Sequence, residues 1–391
     1  MATKPKPLQG IKVLELARIL AGPFLGQLLA DLGAEVVKIE SPQGDDTRFW
    51  GPPFVGKGDE KTAAYFYACN RGKTTLLADF HQADDLKNVK NLARVCDVVI
   101  ENFKVGGLKK FQLDEAAVRK DNPSVIYCSI SGFGQSGPYK HRAGYDYVIQ
   151  AMSGFMDITG EKDGAPQKIG VALADIITAL YGGVAVSTAL YHRQQGGGGQ
   201  YIDMALLDAM VGVLANQASN YFASGVSPSR LGNKHPNIAP YQVFYSAGGQ
   251  PFVLACGNDI QFEKVMGLLG LSIDKKFLIN ALRVEHCDDL EKILSVEFQK
   301  WQRDELLARL EDIGVAAGPI NKVSEALADP QMIARAMEMN VRLDGGEGDM
   351  GYLRTPIIFR DLDVVSTKPA PRLDKKNKHK NWQAILQDWL P

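Results

Sequence analysis

Short apolar runs rich in β-branched residues alternate with helical patterns along the N-terminal half of the chain. The clearest runs are IKVLEL at residues 11–16, EVVKIE at 35–40, DVVIEN at 97–102 and SVIYCSIS at 124–131. Strands that are apolar almost throughout are typical of a parallel sheet covered by helices on both faces. The pattern therefore predicts an α/β fold whose N-terminal region is a doubly wound unit with a parallel sheet.

Helical patterns follow or separate these runs. The segment AGPFLGQLLADLGA predicts a helix with Pro23 in its first turn and Gly33 at its end. Further helices are expected from about Gln82 to Val95, from about Leu173 to Gln194 and from Ala205 to about Phe222. The helix predicted for AGPFLGQLLADLGA lies between the first two strands and completes a βαβ unit with them.

A cluster of turn residues, SGVSPSRLGNKHPNIAP, interrupts this pattern at residues 224–240. Such clusters are typical of linkers, and a chain of 391 residues exceeds the size of one ordinary core. We therefore expect a large domain at residues 1–223, a linker at 224–240 and a smaller α/β domain at 241–325. A second linker and a C-terminal return to the large domain are expected at 326–391.

Charge balance and cysteine usage exclude several classes of function. Forty-four Lys and Arg against 45 Asp and Glu give a net charge of -1, which argues against nucleic-acid binding. The five cysteines are scattered and contain no CxxC pair, so neither disulfides nor a metal site is predicted. The N-terminus lacks a secretory signal, and no apolar run approaches the roughly 18 residues of a membrane span. We expect a cytoplasmic protein without a membrane partner.

Three glycine motifs resemble nucleotide sites only in part. GFGQSG at residues 132–137 fits GxGxxG after a strand, but Pro138 and polar residues follow, so no nicotinamide or flavin site is predicted. GKT at 72–74 resembles the end of a P-loop, but Tyr67 stands where the first glycine is required. The four glycines at 196–199 are typical of a helix end, although such a loop can also bind an anion.

One carboxylate stands out as a candidate for chemistry. Asp175, in LADIIT, lies near the start of a long apolar helix and follows the polar stretch TGEKDGAPQKIG. An aspartate in the first helical turn is commonly structural, because the helix dipole stabilises its charge. The same position would keep a carboxylate ionised and available as a nucleophile. The pattern alone leaves both roles open.

Several separated segments together resemble one family. They are LQGIKVLELARILAGPFLGQLLADLGAEVVKIE, NRGKTTLLAD, DVVIENF, SISGFGQSGPY, AGYDYVIQAMSG, VALADIITALYGGVAV and GQYIDMALLDA. In these segments the chain is similar to the family III CoA-transferases, which include formyl-CoA transferase, carnitine CoA-transferase and the related α-methylacyl-CoA racemase. The resemblance implies a Rossmann-like large domain, a small domain and two linkers in a ring-shaped chain, interlocked with a second copy as a homodimer. It also implies that Asp175, in the family's ALxD motif, is acylated during turnover.

The resemblance further implies the contacts to coenzyme A, which binds as a co-substrate without a metal. These contacts are Leu20, Ala21, Ser41, Ala78, Asp79, Phe80, His81, Asn102, Phe103, Lys104, Lys110, Arg142, Ala143, Gly144, Tyr145 and Asp146. Formyl-CoA transferase has a glutamine in place of Leu20 and arginines in place of Ser41 and Lys110, which puts a phosphate contact at Ser41 in doubt. Lys110, Arg142 and Lys73 could supply cations for phosphate, although a solvated surface charge is the favoured interpretation of Lys73.

Tyr145 separates two branches of the family. The racemase branch has a histidine at this place, which pairs with the aspartate to move an α-proton. A tyrosine has an ordinary pKa of about 10 and is a poor base at neutral pH, so CoA transfer is favoured over racemisation. His141 nearby keeps a 2-methylacyl-CoA racemase as the alternative.

The candidates for binding the free acid are Arg18, Tyr145, His235 and Asn258. The segment LGNKHPNIAPYQ around His235 is similar to a family segment at the domain junction, and a structural loop explains it equally well. A cation such as Arg18 would suit a short dicarboxylate such as succinate or glutarate. The glycine loop that covers the family's site has no clear counterpart in this sequence, and Gly257 and Asn258 are assigned to it provisionally.

A third hypothesis for the function is a non-catalytic protein that binds coenzyme A.

Overall fold

A computed structural model describes residues 4–58, 61–343 and 348–390. Within these ranges the strands are β1 Lys12–Glu15, β2 Glu35–Glu40, β3 Phe54–Val55, β4 Thr62–Ala63, β5 Thr74–Leu77, β6 Val98–Glu101, β7 Ile126–Ser131, β8 Gln200–Ala205, β9 Tyr241–Tyr245, β10 Pro251–Ala255, β11 Ala316–Pro319, β12 Glu338–Arg342 and β13 Asp349–Leu353. The apolar runs of the sequence form β1, β2, β6 and β7, as predicted. The edge strand β5 has no such apolar run.

The helices confirm the long periodic patterns and correct one of them. They are α1 Ala21–Asp31, α2 Ala64–Tyr67, α3 Ala83–Val95, α4 Glu115–Asp121, α5 Asp146–Met152, α6 Phe155–Ile158, α7 Leu173–Gln194, α8 Leu206–Gly212, α9 Ala215–Ser224, α10 Asp259–Leu268, α11 Asn280–Glu285, α12 Cys287–Phe298, α13 Arg303–Asp312, α14 Val323–Leu327, α15 Pro330–Ala334 and α16 Lys378–Trp389. The single helix predicted from Ala205 to Phe222 is instead α8 and α9, because Ala215 has a φ of 48° that breaks the helical path.

Six strands form one parallel sheet in the order β5-β2-β1-β6-β7-β8. Numbered within the sheet, this order is 3-2-1-4-5-6, the order of doubly wound dinucleotide-binding folds. The chain builds outward from β1 in one direction and then, from β6, in the other. Ligands of such sheets bind at the carboxyl ends of the strands beside this reversal, which places a site after β1, β2 and β6.

Helices cover both faces of the sheet, which explains why its strands are apolar on both sides. On one face, Val13 and Ile126 pack with Leu25 of α1 and Ala179 of α7. On the other face lie residues of α3, α4 and α16, including the buried Trp382. The indole of Trp382 donates to the carbonyl of Leu77 at 2.9 Å, so the C-terminal helix is fastened to the edge strand β5.

Helix α7 packs closely against α1 through small residues. A Cβ at Gly182 would lie 3.1 Å from Leu25, and one at Gly183 would lie 2.8 Å from Leu28. By length and composition α7 could cross a membrane, so the expectation that no run approaches that length was wrong. A core helix of a globular protein passes the same test, and one side of α7 packs in the core with α1, while Leu180, Tyr181 and Val184 are exposed.

Contacts divide the chain into two units. The first comprises Met1–Phe155, Ile169–Ala218 and Pro330–Pro391, and it contains the parallel sheet. The second comprises Met156–Lys168 and Ser219–Asp329, with the antiparallel sheet β11-β10-β9 and a core around Phe244, Phe252 and Phe298.

This division differs from the one expected from sequence in two places. Residues 156–168 were expected in the large domain, but they belong to the second unit, where the N–H of Gly232 donates to the carbonyl of Gly160 at 3.1 Å. The Arg230 guanidinium also pairs with Asp157 at 3.0 Å. The expected linker at 224–240 likewise belongs to the second unit. Both contacts join segments that are distant in sequence, so local composition could not indicate them.

Candidate functional site

A cleft of about 730 Å³ lies at the carboxyl ends of the strands of the parallel sheet. Its walls come from the loops that follow β1, β2, β5, β6 and β7, together with the start of α7. The topology of the sheet predicts a site at this edge, and the cleft lies there. The whole lining belongs to the first unit.

Most of the site residues predicted from the family resemblance line this cleft. They are Arg18, Leu20, Ala21, Ser41, Ala78, Asp79, Phe80, His81, Asn102, Phe103, Lys104, Lys110, Arg142, Ala143, Gly144, Tyr145 and Asp175. Positions scattered over more than 150 residues of sequence are thus brought to one cavity. Their individual contacts to coenzyme A stay predictions.

Three predicted residues do not line the cleft. The carboxylate of Asp146 turns to the start of α7, where it accepts the N–H of Ala174 at 2.7 Å. His235 lies in the second unit with its ring 5.1 Å from that of Tyr241. Asn258, also in the second unit, caps α10. The roles of His235 and Asn258 toward the free acid stay predictions.

Basic side chains without acidic partners surround the mouth of the cleft. Lys104, Lys110, Lys140 and Arg142 are exposed and line it, and none of them forms a salt bridge within the part of the chain that the structure describes. The guanidinium of Arg142 stacks at 4.0 Å over the ring of Tyr139. Unpaired cations at the rim of a cavity are what a phosphate group requires.

Lys73 does not belong to this group, and both interpretations offered from sequence were wrong. Its side chain is fully buried, and its ammonium lies 2.8 Å from a carboxylate oxygen of Glu15. A Cβ at Gly26 would lie 1.8 Å from the same carboxylate, so only glycine fits there. Lys73 therefore neutralises a buried charge beneath α1, away from solvent and from the cleft lining.

Three aromatic rings form an apolar wall near these cations. The ring of Phe80 stacks on that of Phe103 at 6.2 Å and meets the edge of Phe111 at 5.3 Å. The ring of His81 packs edge-to-face with that of Phe111, with 5.4 Å between the ring centroids. An aromatic surface beside free cations suits a ligand that combines a base with phosphates.

The loop after β7 reaches the cleft through a contact that requires glycine. A Cβ on Gly132 would lie 2.6 Å from the Cα of Gly144, so the two backbones touch. The contact fixes the segment before α5, whose N-terminal flanking residue is Tyr145. Turns rather than a helix follow Gly132, as Pro138 predicted.

Asp175 lies in the first turn of α7, half-buried in the cleft wall. Burial raises the pKa of its carboxyl to about 7, and the nearby charge of Asp146 contributes to the rise. At this pKa the carboxyl is only partly ionised at neutral pH, so burial outweighs the stabilisation that the helix dipole gives to its charge. The carboxylate of Asp146 accepts the N–H of Ala174 at the same helix start. Its negative charge repels that of Asp175 and so counteracts the effect of the helix dipole on the pKa of Asp175.

Sequence reasoning missed a buried ion network in the wall of the cleft. The ammonium of Lys38 lies 3.0 Å from carboxylate oxygens of both Glu15 and Asp45. Burial alone would lower the pKa of Lys38, but these carboxylates raise it above the ordinary value. A lysine in the middle of a buried strand was the available signal, because lysine is almost never buried without a partner.

Tyr65 was also missed, and its environment links it to the candidate nucleophile. Burial raises the pKa of its phenol to about 12, with the charge of Asp175 as the next cause. The phenol therefore stays protonated near that carboxylate at neutral pH. Its position on the short helix α2, far from Asp175 in sequence, left no local signal.

The fold is mixed α/β with a large parallel sheet, and its cleft brings together exposed cations, an aromatic wall and the carboxyl of Asp175. A model of the family described as "CoA-transferase family III" matches residues 8–377. The chain belongs to this family of CoA-transferases, which confirms the resemblance and removes the hypothesis of a non-catalytic protein.

Individual relatives agree with this assignment. The chain is 49% identical over 379 residues to the succinate–glutarate CoA-transferase of Agrobacterium fabrum (strain C58), which covers 95% of this chain and 94% of that relative. It is 38% identical over 381 residues to the succinyl-CoA:glutarate CoA-transferase of Mus musculus, with coverage of 96% and 85%. The crystal structure of a CAIB/BAIF family protein from Brucella suis matches with a TM-score of 0.87 at 52% identity, over 99% of this chain and 100% of that one.

Proposed function

We propose that the protein transfers coenzyme A between short dicarboxylic acids, succinate and glutarate, with Asp175 as the covalent nucleophile. The observation that carries the proposal is the position of Asp175: a carboxylate with a raised pKa in the wall of a cleft rimmed by unpaired cations. The names of the similar CoA-transferases from Agrobacterium fabrum and Mus musculus, which specify succinate or succinyl-CoA and glutarate, support the choice of the two acids.

Transfer proceeds through four acyl exchanges at one carboxylate. The ionised Asp175 attacks the thioester carbonyl of the donor, the C–S bond breaks, and CoA thiolate leaves a mixed anhydride. The thiolate attacks the aspartyl carbonyl of that anhydride and releases the donor acid, which gives an aspartyl-CoA thioester. The acceptor carboxylate attacks this thioester, expels the thiolate and forms a second anhydride. The thiolate then attacks the acceptor's acyl carbon, which yields the new acyl-CoA and regenerates Asp175.

The raised pKa of Asp175 suits this role. A more basic carboxylate is a stronger nucleophile, and with a pKa of about 7 it is ionised in a large fraction of molecules at neutral pH. The half-buried position limits the access of water, which would hydrolyse an anhydride. The protonated phenol of Tyr65 provides a hydrogen-bond donor in the same environment.

The acceptor's second carboxylate requires a cation, and Arg18 is the candidate in the cleft wall. Its guanidinium pairs at 2.9 Å with Asp46, and the two side chains are 64% and 50% exposed. An ion pair this exposed contributes little free energy, so a substrate carboxylate can displace Asp46. A dicarboxylate would thus react at one end while Arg18 holds the other.

The cations Lys104, Lys110 and Arg142 would hold the phosphates of coenzyme A, and the wall of Phe80, Phe103 and Phe111 would face its adenine. Coenzyme A acts here as a co-substrate. We also propose a cytoplasmic homodimer, interlocked as the family resemblance implies. Light scattering of the purified protein tests the dimer, and a monomer that retains full turnover would contradict it.

The relatives do not favour the racemase alternative. His141 lines the cleft, but Tyr145 stands where the racemase branch has its histidine. Racemisation would exchange the α-proton of a 2-methylacyl-CoA with solvent deuterium in the absence of any free acid. That exchange, without CoA transfer, would replace the present proposal.

The decisive experiment combines succinyl-CoA with isotopically labelled glutarate. Labelled glutaryl-CoA should form, and intact-mass measurement after a hydroxylamine quench should show a modification that maps to Asp175. Asp121→Asn is the matched control for Asp175→Asn, because Asp121 is a carboxylate that pairs with Arg94 at the surface. The control variant should still form glutaryl-CoA and the modification at Asp175. Absence of the adduct and of exchange across a panel of acyl-CoAs and acids would refute the proposal.

A further inference from the structure

The turn that joins β1 to α1 contains a strained residue. Ile19 has a φ of 73°, in the left-handed region that is costly for a side chain branched at Cβ. Of the non-glycine residues with positive φ in the described ranges, the others are Gln112, Ala215 and Ala336, none of which is β-branched. Strain of this kind persists only where the surrounding structure holds it.

Two polar side chains hold this turn from opposite sides. The N–H of Ile19 lies 3.3 Å from each carboxylate oxygen of Asp45, which follows β2. The amide of Asn102, after β6, accepts the N–H of Arg18 at 3.0 Å and donates to its carbonyl at 2.7 Å. The turn is therefore clamped at the reversal point of the sheet, where all four residues line the cleft.

Asp45 is itself a fixed acceptor. It is 2% exposed, lies 3.0 Å from the ammonium of Lys38, and accepts both the N–H and the hydroxyl of Thr47, at 3.0 and 2.8 Å. Besides the N–H of Ile19, three donor groups from Lys38 and Thr47 thus determine the orientation of this carboxylate. The N–H of Ile19 thus joins the turn to the buried ion network in the wall of the cleft.

We propose that Asp45 is a positioning residue that holds Ile19 in its strained conformation and thereby directs Arg18 toward the free acid. The direction of a side chain follows from its backbone, and the exposed pair with Asp46 is too weak to orient Arg18 by itself. If the backbone at Ile19 relaxed to negative φ, Arg18 would turn relative to α1. This inference rests on the proposed CoA transfer and on Arg18 as the acceptor's partner.

A double-mutant cycle of Asp45→Asn and Ile19→Gly tests the inference, because glycine adopts positive φ without strain. Asp45→Asn alone should raise the KM for the free acid on the order of 10-fold or more, with a much smaller change in the KM for acyl-CoA. Adding Ile19→Gly should restore most of the loss. A merely structural role would lower the active fraction, hence kcat, and leave both KM values unchanged.

The control for rescue is Asp31→Asn. Asp31 is 2% exposed and pairs with Arg71 at 2.5 and 2.7 Å, so its loss also leaves a buried cation unpaired, yet it does not contact the turn. Ile19→Gly should not rescue this variant. Thr47→Val removes one donor to Asp45 without a change of charge; it should show the same KM pattern more weakly, and it replaces Asp45→Asn if that variant does not fold.

Two results would overturn the inference: additive effects of Asp45→Asn and Ile19→Gly, or equal rescue of Asp31→Asn. Failure of the proposed function is distinguishable, because the wild-type protein would then transfer no CoA from any donor. In that case the free energies of unfolding of the wild-type protein, the two single variants and the double variant are measured in urea. Ile19→Gly should lessen the destabilisation caused by Asp45→Asn if Asp45 holds the strain, and additive unfolding free energies would overturn that part independently.

Discussion

Two carboxylates in the wall of the same cleft, Asp45 and Asp175, occupy opposite electrostatic environments. Asp45 is buried beside the ammonium of Lys38; burial would raise its pKa, but Lys38 and the donors of Thr47 lower it below the ordinary value. Asp175 has no cation among the causes of its shift, and burial and Asp146 raise its pKa to about 7. The first is charged at all physiological pH values, whereas the second is balanced between its two forms.

The difference indicates that carboxylates with a structural role are paired with cations, whereas the candidate nucleophile is not. The buried carboxylates Asp45 and Glu15 are compensated by buried cations, Asp45 by Lys38 and Glu15 by Lys38 and Lys73. Asp175 lacks such compensation, so its charge is costly in the folded protein and its basicity is high. A perturbed carboxylate in a cleft is a sign of a functional group, because stability alone would favour a partner. Substituting each carboxylate tests this contrast.

The largest expected effect is on catalysis. Asp175→Asn should lower kcat by at least about 10⁴-fold, because loss of a covalent nucleophile removes the whole pathway. Binding of acyl-CoA, measured by calorimetry, should remain within about threefold, since that change corresponds to less than ~1 kcal/mol. Turnover within tenfold of the wild-type protein would show that Asp175 is not the nucleophile.

The next effect is a loss of stability, which we expect for the compensated carboxylate Asp45 and not for Asp175. Asp45→Asn should lower the free energy of unfolding by about 3 kcal/mol, because it leaves Lys38 less fully paired in the interior. Urea unfolding at neutral pH measures the change. A loss below about 0.5 kcal/mol would mean that Glu15 alone compensates Lys38, and the contrast with Asp175 would weaken.

Asp175→Asn should have the opposite effect on stability, and the effect should depend on pH. The folded pKa is raised to about 7, above the unfolded value of about 3.9, so this carboxyl stabilises the fold at low pH and that contribution is lost as pH rises through about 7. Relative to wild type, the variant should gain on the order of 1–3 kcal/mol at about pH 8 and little at about pH 4. An equal gain at both pH values would point to packing rather than to charge.

The sequence predicted the environment of Asp175 in part and that of Asp45 not at all. β-Branched runs predicted the central strands because their burial is a local property, and most of the residues predicted from the family resemblance line the cleft. The helix start at Asp175 was also visible, but its pKa depends on Asp146 and on burial, which packing determines. Asp45 gave no signal at all, since its partners Lys38 and Ile19 meet it only in the folded sheet.

The smallest expected effect is on the pH dependence of activity, and it tests the contact between Asp146 and the start of α7 beside Asp175. Because the ionised form attacks, kcat/KM should rise with pH through about 7 and then level off. Asp146→Asn removes a like charge while its amide oxygen can still accept the N–H of Ala174, so the pKa of Asp175 should fall. The rising limb of the profile should therefore move to lower pH, by about half a unit to one unit.

The shift of the rising limb to lower pH distinguishes an effect of the charge of Asp146 from an effect of its position at the start of α7. A less basic carboxylate is also a weaker nucleophile, so the plateau of the Asp146→Asn profile should lie somewhat below that of the wild-type protein, while the two profiles converge at acid pH. Asp121→Asn, which removes an exposed charge on α4, should leave the limb in place. If Asp146→Asn lowered activity equally at every pH, Asp146 would act only by anchoring the start of α7, and burial alone would account for the raised pKa of Asp175.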